Sequence, residues 1–323
     1  MQGKMRAVRI HPAGSGTTPF SPSNPAPSSS LVLDQDVRMP QPEPGQVLVR
    51  VHAAAVTRDE LKWPESYRED FHILGYDFSG VVDSVRGVET FKPGDEVFAM
   101  YVVVDAHELA LKPKTLDWAE AATVPMSVLT AWQALFVKGG IPAPDFITPI
   151  ETDVHSWVLV TGATGAVGSY ILRLATLAGW CVIAATSSKT RNKEFLLRSN
   201  AAEVIDYSEI KHRSFDIIID TVGGEALANA WSSISDNGTL VSVDSSSFAF
   251  ADNPPAGKEG VKAIFFVVEP SGTQLSMISW VLERGLLSPL LADTFPFAEA
   301  RAAYERANGR TDRRGKVALM VRP

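Results

Sequence analysis

The sequence predicts an α/β protein of two domains, in which a β-rich domain is followed by a doubly wound parallel sheet. The chain has 323 residues, which is more than one average domain and too few for three. Short β patterns separated by polar turns fill the first 125 residues, and beyond them β patterns alternate with helical ones. Such alternation is typical of a parallel sheet covered by helices.

The first part of the chain contains three clear strand patterns, at Met5–Ile10, Gln46–Ala55 and Gly80–Val85. The segment His11–Ser30 is rich in Pro, Ser and Gly, so it can bury little surface. We interpret this segment as a surface loop inserted into the domain.

The second part of the chain carries the alternating pattern. Amphipathic segments separate most of its strand candidates, which are Trp157–Thr161, Cys181–Ala185, Glu203–Asp206, Phe215–Asp220, Thr239–Val243 and Val261–Val268. A helix is predicted near 297–307. The strand after it, Lys316–Val321, could return to the first domain.

Composition limits the possible partners. Thirty basic and 37 acidic residues give a net charge of −7 without a long basic run, which argues against nucleic acid. No stretch is long and apolar enough to span a bilayer, and Met1–Ile10 lacks the apolar core of a signal peptide. We therefore expect a cytoplasmic protein with a small-molecule substrate and no membrane partner. The single cysteine, Cys181, excludes a disulfide framework and a four-cysteine zinc site.

A glycine-rich turn joins the first strand of the alternating region to an amphipathic helix. Small residues let the backbone approach a pyrophosphate, and a helix N-terminus offers free N–H groups and a positive dipole end. Glycines could also serve only a tight turn and close packing, but the continuing β/α series favours a dinucleotide. The predicted contacts are Gly162, Ala163, Thr164, Gly165, Ala166, Val167 and Gly168.

The end of the second strand indicates which dinucleotide binds. NAD enzymes place an acidic residue there to bind the ribose 2′-hydroxyl. This chain instead has Ser187, Ser188, Lys189 and Arg191, whose hydroxyls and positive charges suit a 2′-phosphate. The group favours NADPH over NADH, although a solvated helix start with capping serines would also explain it.

These motifs resemble the medium-chain dehydrogenase/reductase superfamily, and within it the zinc-independent quinone oxidoreductase and enoyl reductase branch. The matching segments are Val47–Val51, Leu74–Val82, Lys92–Phe98, Ala121–Pro125, Leu129–Trp132, the glycine turn, Val204–Tyr207, Asp220–Gly224 and Gly315–Val317. The resemblance implies a GroES-like β domain from residues 1–125 and 290–323. It also implies a Rossmann domain from 126–289, with the nicotinamide between the two. A homodimer is compatible with this sequence, which leaves the oligomeric state open.

The resemblance also argues against a catalytic zinc ion. Zinc-dependent relatives hold the metal with a cysteine after the 47–51 strand and with a His-Glu pair after the later Leu-Gly. This chain has Thr57 at the first place and Tyr76-Asp77 at the second, so it offers Zn²⁺ neither a thiolate nor an imidazole. None of the six histidines forms a spaced ligand cluster in the sequence. We therefore predict no metal site.

Further cofactor contacts are carried over by motif. Thr130 would contact the nicotinamide region, and Tyr207 with Arg191 the adenosine phosphate end. Ser245 and Phe266 would form the far wall, and each of these residues is also compatible with simple packing. The remaining predicted cofactor contacts are Thr57, Val222 and Val268.

The reaction expected from this resemblance is hydride transfer from NADPH to a quinone or an enone. A donor must stabilise the developing oxyanion, and the candidates are Tyr76 and Lys62, with Trp63 as a substrate wall. Solvent protonation would make a dedicated acid unnecessary. Two other functions stay open, a trans-acting enoyl reductase or tailoring enzyme of secondary metabolism, and a non-catalytic NADPH-binding sensor or scaffold.

Two departures from the family pattern have structural consequences. Asn200 replaces a glycine at a helix end, where asparagine can adopt the left-handed conformation. The segment Val97–Val104 should turn back as a hairpin but contains no Gly, Pro, Asn or Asp. Relatives carry a longer segment there, so either the loop is short in this protein or part of it is missing from the sequence.

Overall fold

The computed structural model describes residues 3–100, 103–148, 150–309 and 313–322. Their contacts divide the chain into two compact units. The first consists of Met1–Met126 and Pro270–Pro323, and the second of Ser127–Glu269. No helix among the described residues is long and apolar enough to cross a membrane.

The first unit is mostly antiparallel β structure. Its strands are β1 (Lys4–Ile10), β2 (Leu31–Arg38), β3 (Gln46–Val56), β4 (Asp77–Val85), β5 (Glu96–Met100), β6 (Val103–Asp105), β7 (Ala110–Leu111), β14 (Leu291–Pro296) and β15 (Lys316–Met320). β1 and β2 pair with each other, and the others form a sheet of order β14-β15-β3-β4-β5-β7, with β6 also on β3. Since β15 lies antiparallel beside β3, the last strand returns to this unit.

Three α-helices complete the described part of the first unit, namely α1 (Trp118–Ala122), α6 (Gly272–Glu283) and α7 (Ala300–Asn308). The sequence placed the second domain boundary at 289, whereas α6 lies in the first unit and packs against β7. A Cβ on Gly272 would lie 2.2 Å from the Leu109 carbonyl oxygen, so glycine permits this close approach. α7 covers the unit's core, where the Tyr304 side chain is buried.

The expected hairpin at 97–104 does not form between β5 and β6. β5 pairs with β4 and β7, whereas β6 pairs with β3. Tyr101 and Val102 lie outside the described residues.

The inserted segment 11–30 is a largely exposed loop with several anchors to the rest of the first unit, among them Ala26, Phe20 and Ser28. Ala26 is buried, and its N–H donates to the Tyr67 hydroxyl at 2.9 Å. The loop therefore buries a little more than its composition predicts.

The second unit contains the doubly wound parallel sheet that the sequence predicts. Its strands are β8 (Asp153–Val160), β9 (Trp180–Thr186), β10 (Glu203–Asp206), β11 (Phe215–Asp220), β12 (Ile234–Ser242) and β13 (Lys262–Phe265). They are parallel in the order β10-β9-β8-β11-β12-β13, which is the Rossmann order, with the switch point between β8 and β11.

The helices of the second unit are α3 (Ala166–Leu177), α4 (Lys189–Arg198) and α5 (Gly224–Ser233), while α2 (Pro125–Trp132) begins at the boundary between the units. The interior is aliphatic and aromatic, with Leu159, Ile218 and Leu240 fully buried. Asn200, after α4, has a φ of 74°, which confirms the predicted left-handed helix end.

Candidate cofactor-binding and catalytic residues

Two of the glycines that follow β8 are required by packing within the protein. Gly162 has a φ of 61°, and a Cβ there would lie 2.3 Å from the Thr221 Oγ1. A Cβ on Gly168 would lie 2.4 Å from the Gly162 carbonyl oxygen. These positions give the tight turn and the close contact between helix and turn that dinucleotide-binding folds use.

Gly165 differs, because protein packing does not explain it. It is the N-cap of α3, it is exposed, and a Cβ there would meet only the Gly162 carbonyl oxygen, at 3.3 Å. No side chain caps this helix, and its first turn has no acidic residue. An uncapped helix N-terminus beside an open glycine fits the pyrophosphate of a dinucleotide.

The other residues of the turn surround this position. Ala163 is buried, whereas Thr164, Ala166 and Val167 are partly exposed.

The segment after β9 contains the N-cap of α4 and two positively charged side chains, Lys189 and Arg191. Ser187 is exposed, and Ser188 is the N-cap of α4, whose hydroxyl accepts from the Arg191 N–H at 3.4 Å. Ser188 therefore has the capping role that the sequence left open as an alternative. The Arg191 side chain is exposed, and the Lys189 ammonium lies 3.4 Å from a Glu209 carboxylate oxygen.

Tyr207 follows β10 and reaches the glycine turn. The Gly162 amide donates to the Tyr207 hydroxyl, and burial raises the pKa of that hydroxyl above its usual value. The structure thus brings together two segments that the sequence assigned separately to the cofactor.

The remaining predicted contacts of this unit follow the other strands. Val222 comes after β11, Ser245 after β12, and Phe266 and Val268 after β13. Since all six strands are parallel, the residues at their carboxyl ends share one edge of the sheet, where such folds bind ligands. Thr130 is the exception, because it lies on α2 and is buried. The Lys138 ammonium lies 5.7 Å from the centre of the Phe266 ring.

Asp220 stabilises this edge and was not singled out by the sequence. Its carboxylate accepts from the hydroxyls of Thr161 at 2.6 Å and Ser242 at 2.9 Å, and from the Gly223 N–H at 3.0 Å. Burial is the main effect on its pKa, which lies above the usual value. A carboxylate directly after three consecutive isoleucines, Ile217–Ile219, was the available signal.

In the first unit, a buried carboxylate joins the two positions at which zinc-dependent relatives carry ligands. Glu60 accepts from the Thr57 N–H at 3.3 Å, the Gly75 N–H at 2.8 Å and the Tyr304 hydroxyl at 3.0 Å. Desolvation raises the pKa of Glu60 to about 7, although these hydrogen bonds oppose the shift. Glu60 thus fixes Thr57 beside the segment that carries Tyr76.

The hydroxyls at these two positions, those of Thr57 and Tyr76, differ in their hydrogen bonding. The Thr57 Oγ1 is buried and has no hydrogen-bond partner among the described residues. A buried hydroxyl without a partner is costly unless a ligand pairs with it. The Tyr76 hydroxyl lies 3.3 Å from the His72 Nε2, and its ring packs against Trp63 with centroids 5.5 Å apart. Burial lowers the pKa of His72, so this imidazole is neutral at neutral pH.

Two charged residues near these positions, Lys62 and Asp77, are already paired. Lys62, the second predicted donor, is 61% exposed and its ammonium lies 2.8 Å from an Asp59 carboxylate oxygen. Asp77 is fully buried, where it pairs with the Lys316 ammonium and accepts from the Met126 N–H at 2.8 Å. Tyr76 is therefore the better-placed donor of the two candidates.

A search of the described ranges for metal-ligand geometry finds one group of at least three His, Cys, Asp or Glu side chains. It consists of Asp105, His107 and Glu108, which are partly or fully exposed; Asp105 ends β6, and the other two lie in the short 3-10 helix that follows. The sequence did not indicate this group. It includes neither Thr57 nor Tyr76.

Comparisons with known proteins agree with this architecture. The family described as "Alcohol dehydrogenase GroES-like domain" matches residues 43–125, and the one described as "Zinc-binding dehydrogenase" matches residues 199–319. A "Probable zinc-binding oxidoreductase, mitochondrial" from Arthroderma benhamiae is 34% identical over 91% of this chain and 94% of its own. The chain belongs to the medium-chain dehydrogenase/reductase superfamily, in its quinone oxidoreductase branch. It is an oxidoreductase.

Two further comparisons extend along the whole chain. The rat "Quinone oxidoreductase" is 26% identical and covers 99% of both chains. The fold also matches the structure of the quinone oxidoreductase from Coxiella burnetii, with a TM-score of 0.80 and 24% identity over 99% of this chain and 100% of that one. The predicted fold, a GroES-like domain with a Rossmann domain, is thereby confirmed, and a nicotinamide cofactor and a small-molecule substrate follow from membership of the superfamily.

Proposed function

We propose that this protein is an NADPH-dependent reductase that works without zinc and reduces a quinone or an α,β-unsaturated carbonyl compound. One observation carries the proposal. The Glu60 carboxylate accepts from the backbone N–H groups of Thr57 and of Gly75, the residue before Tyr76, and hydroxyl side chains, Thr57 and Tyr76, stand where zinc-dependent relatives hold the metal. Hydroxyls are poor zinc ligands but good hydrogen-bond donors to a carbonyl oxygen.

The chemistry of the acceptor requires such donors. NADPH, when bound, supplies the hydride. Negative charge then develops on the acceptor oxygen, where the Tyr76 hydroxyl can donate a hydrogen bond and later a proton. Trp63 offers an aromatic wall for a flat acceptor, and quinones and enones share the conjugated carbonyl that this arrangement would recognise.

The choice of NADPH rests on the segment after β9. Ser187 and Arg191 are exposed, Lys189 is partly so, and no carboxylate stands at the end of that strand itself. We expect titration to show that NADPH binds at least about tenfold more tightly than NADH, a difference of about 1.4 kcal/mol. Equal affinities would refute this preference.

The proposed reaction is tested by NADPH oxidation with three sets of acceptors: quinones, simple enones and enoyl thioesters. We expect turnover with quinones or simple enones. Turnover restricted to enoyl thioesters would instead assign an enoyl reductase. Tight NADPH binding without oxidation by any acceptor would contradict the enzymatic proposal and favour a sensor or scaffold.

A further inference from the structure

An ion pair lies within the segments that we assign to the adenosine end of the cofactor. Lys189 begins α4, directly after β9, and its ammonium lies 3.4 Å from a carboxylate oxygen of Glu209. The Lys189 and Glu209 side chains are 36% and 40% exposed. Both are therefore accessible to a ligand at this edge of the sheet.

The backbone holds Glu209 in place. Its second carboxylate oxygen accepts from the Asp206 N–H at 2.7 Å, and the Asp206 side chain accepts from the Lys189 N–H at 2.6 Å. The Asp206 amide and the Lys189 ammonium lower the pKa of Glu209, which is therefore charged at neutral pH. A carboxylate fixed on one oxygen cannot easily move away from an incoming anion.

We propose that the Lys189–Glu209 pair sets the balance between NADPH and NADH. The inference rests on the proposed cofactor site. Lys189 would bind the 2′-phosphate of NADPH, whereas Glu209 would repel that phosphate and accept a hydrogen bond from the 2′-hydroxyl of NADH. NAD enzymes place such an acid at the end of the second strand, and here it would come from the turn after the neighbouring strand β10.

Electrostatics gives the size of the effect. The phosphate carries nearly two negative charges, so it is repelled by a carboxylate a few ångströms from its lysine partner. Because the pair is partly exposed, water and salt screen that repulsion. We expect a change of about three- to tenfold in affinity rather than one of several orders of magnitude.

The test compares dissociation constants of NADPH and NADH, measured by calorimetry, for four proteins. They are the wild type, Glu209→Gln, Lys189→Gln and the control Glu194→Gln. A glutamine at 209 can still accept from the Asp206 N–H. Glu194 lies on α4 and pairs with Arg198 at 2.6 Å, so its variant makes the same charge change on an exposed surface.

We expect Glu209→Gln to raise the ratio of NADPH to NADH affinity at least about threefold over both the wild type and the control. Lys189→Gln should lower that ratio about tenfold or more. A change of less than twofold in Glu209→Gln would overturn the inference. If that variant does not fold, as monitored by circular dichroism, an unchanged ratio in Lys189→Gln would overturn it.

The same titrations separate this inference from the proposed cofactor preference. Equal wild-type affinities would refute the preference for NADPH, yet a ratio raised by Glu209→Gln would still support the role of the pair. A wild type that prefers NADPH, with an unchanged ratio in Glu209→Gln, would keep the preference and reject the pair.

Discussion

The two units hold their functional groups by different means. In the second unit, the candidate cofactor residues come mostly from loops that follow parallel strands, and several, such as Gly165, Ser187 and Arg191, are exposed. In the first unit, Glu60 is fully buried and joins Thr57, Gly75 and Tyr304 from three separate parts of the chain. Changes in the second unit should therefore affect binding with little loss of stability, whereas changes around Glu60 should affect the fold as well.

The largest expected effect belongs to the glycine turn. Gly165→Val places a side chain where the pyrophosphate would meet the N-terminus of α3, so NADPH affinity should fall by at least about 10³-fold. The protein should still fold, because Gly165 has a φ of −77° and a Cβ there meets no atom closer than 3.3 Å. Calorimetric titration with NADPH, together with a melting temperature, measures both quantities.

Gly14→Val is the matched control, because a Cβ on Gly14 would meet nothing within 4 Å and this residue lies in the inserted loop. It should leave NADPH affinity unchanged. Normal NADPH affinity in Gly165→Val would show that the cofactor does not approach this turn. It would also contradict the assignment of cofactor binding to the exposed loops of the second unit.

The next effect concerns the proposed donor in the first unit. Tyr76→Phe removes one hydroxyl, so turnover should fall by about 10² to 10³ with NADPH affinity nearly unchanged. Steady-state kinetics measures the turnover, and a binding titration measures the NADPH affinity. A fall of less than about threefold would assign protonation to solvent and leave Tyr76 with a structural role.

Tyr67→Phe provides the control for this substitution. The Tyr67 hydroxyl donates to the Leu61 carbonyl and accepts from the Ala26 N–H, and both of these partners are backbone groups. Its loss should lower the melting temperature but leave turnover per folded molecule within about twofold.

The smallest expected effect is the pH dependence of stability that comes from Glu60. Its pKa is about 7 in the folded protein, against 4.5 ordinarily, so the folded state holds this proton more tightly than the unfolded chain. Its contribution to stability is thus complete below pH 4.5 and is lost as the pH rises through about 7. Relative to Glu60→Gln, the free energy of unfolding of the wild type should fall by about 1 to 3 kcal/mol across that range.

Denaturant unfolding of both proteins at several pH values measures this difference. A difference that stayed constant between pH 4.5 and 7 would show that Glu60 is already ionised in the folded protein.

The sequence predicted the second unit better than the first for a physical reason. The glycine turn and the Ser187–Arg191 segment are contiguous, so their chemistry is visible in neighbouring residues. Glu60 and Tyr304 lie 244 positions apart, and Asp77 and Lys316 lie 239 apart, so only the fold shows that they meet. The sequence did not indicate that Lys189 and Glu209 meet, because they lie 20 positions apart and come together through the pairing of β10 with β9.

The central claim is that Thr57 and Tyr76 provide hydrogen-bond donors where relatives hold zinc. It is tested most directly by measuring metal content and NADPH oxidation together, before and after dialysis against a chelator. We predict well under one zinc ion per chain and unchanged turnover with the preferred acceptor. About one zinc ion per chain, with activity lost on chelation and restored by added Zn²⁺, would contradict the account.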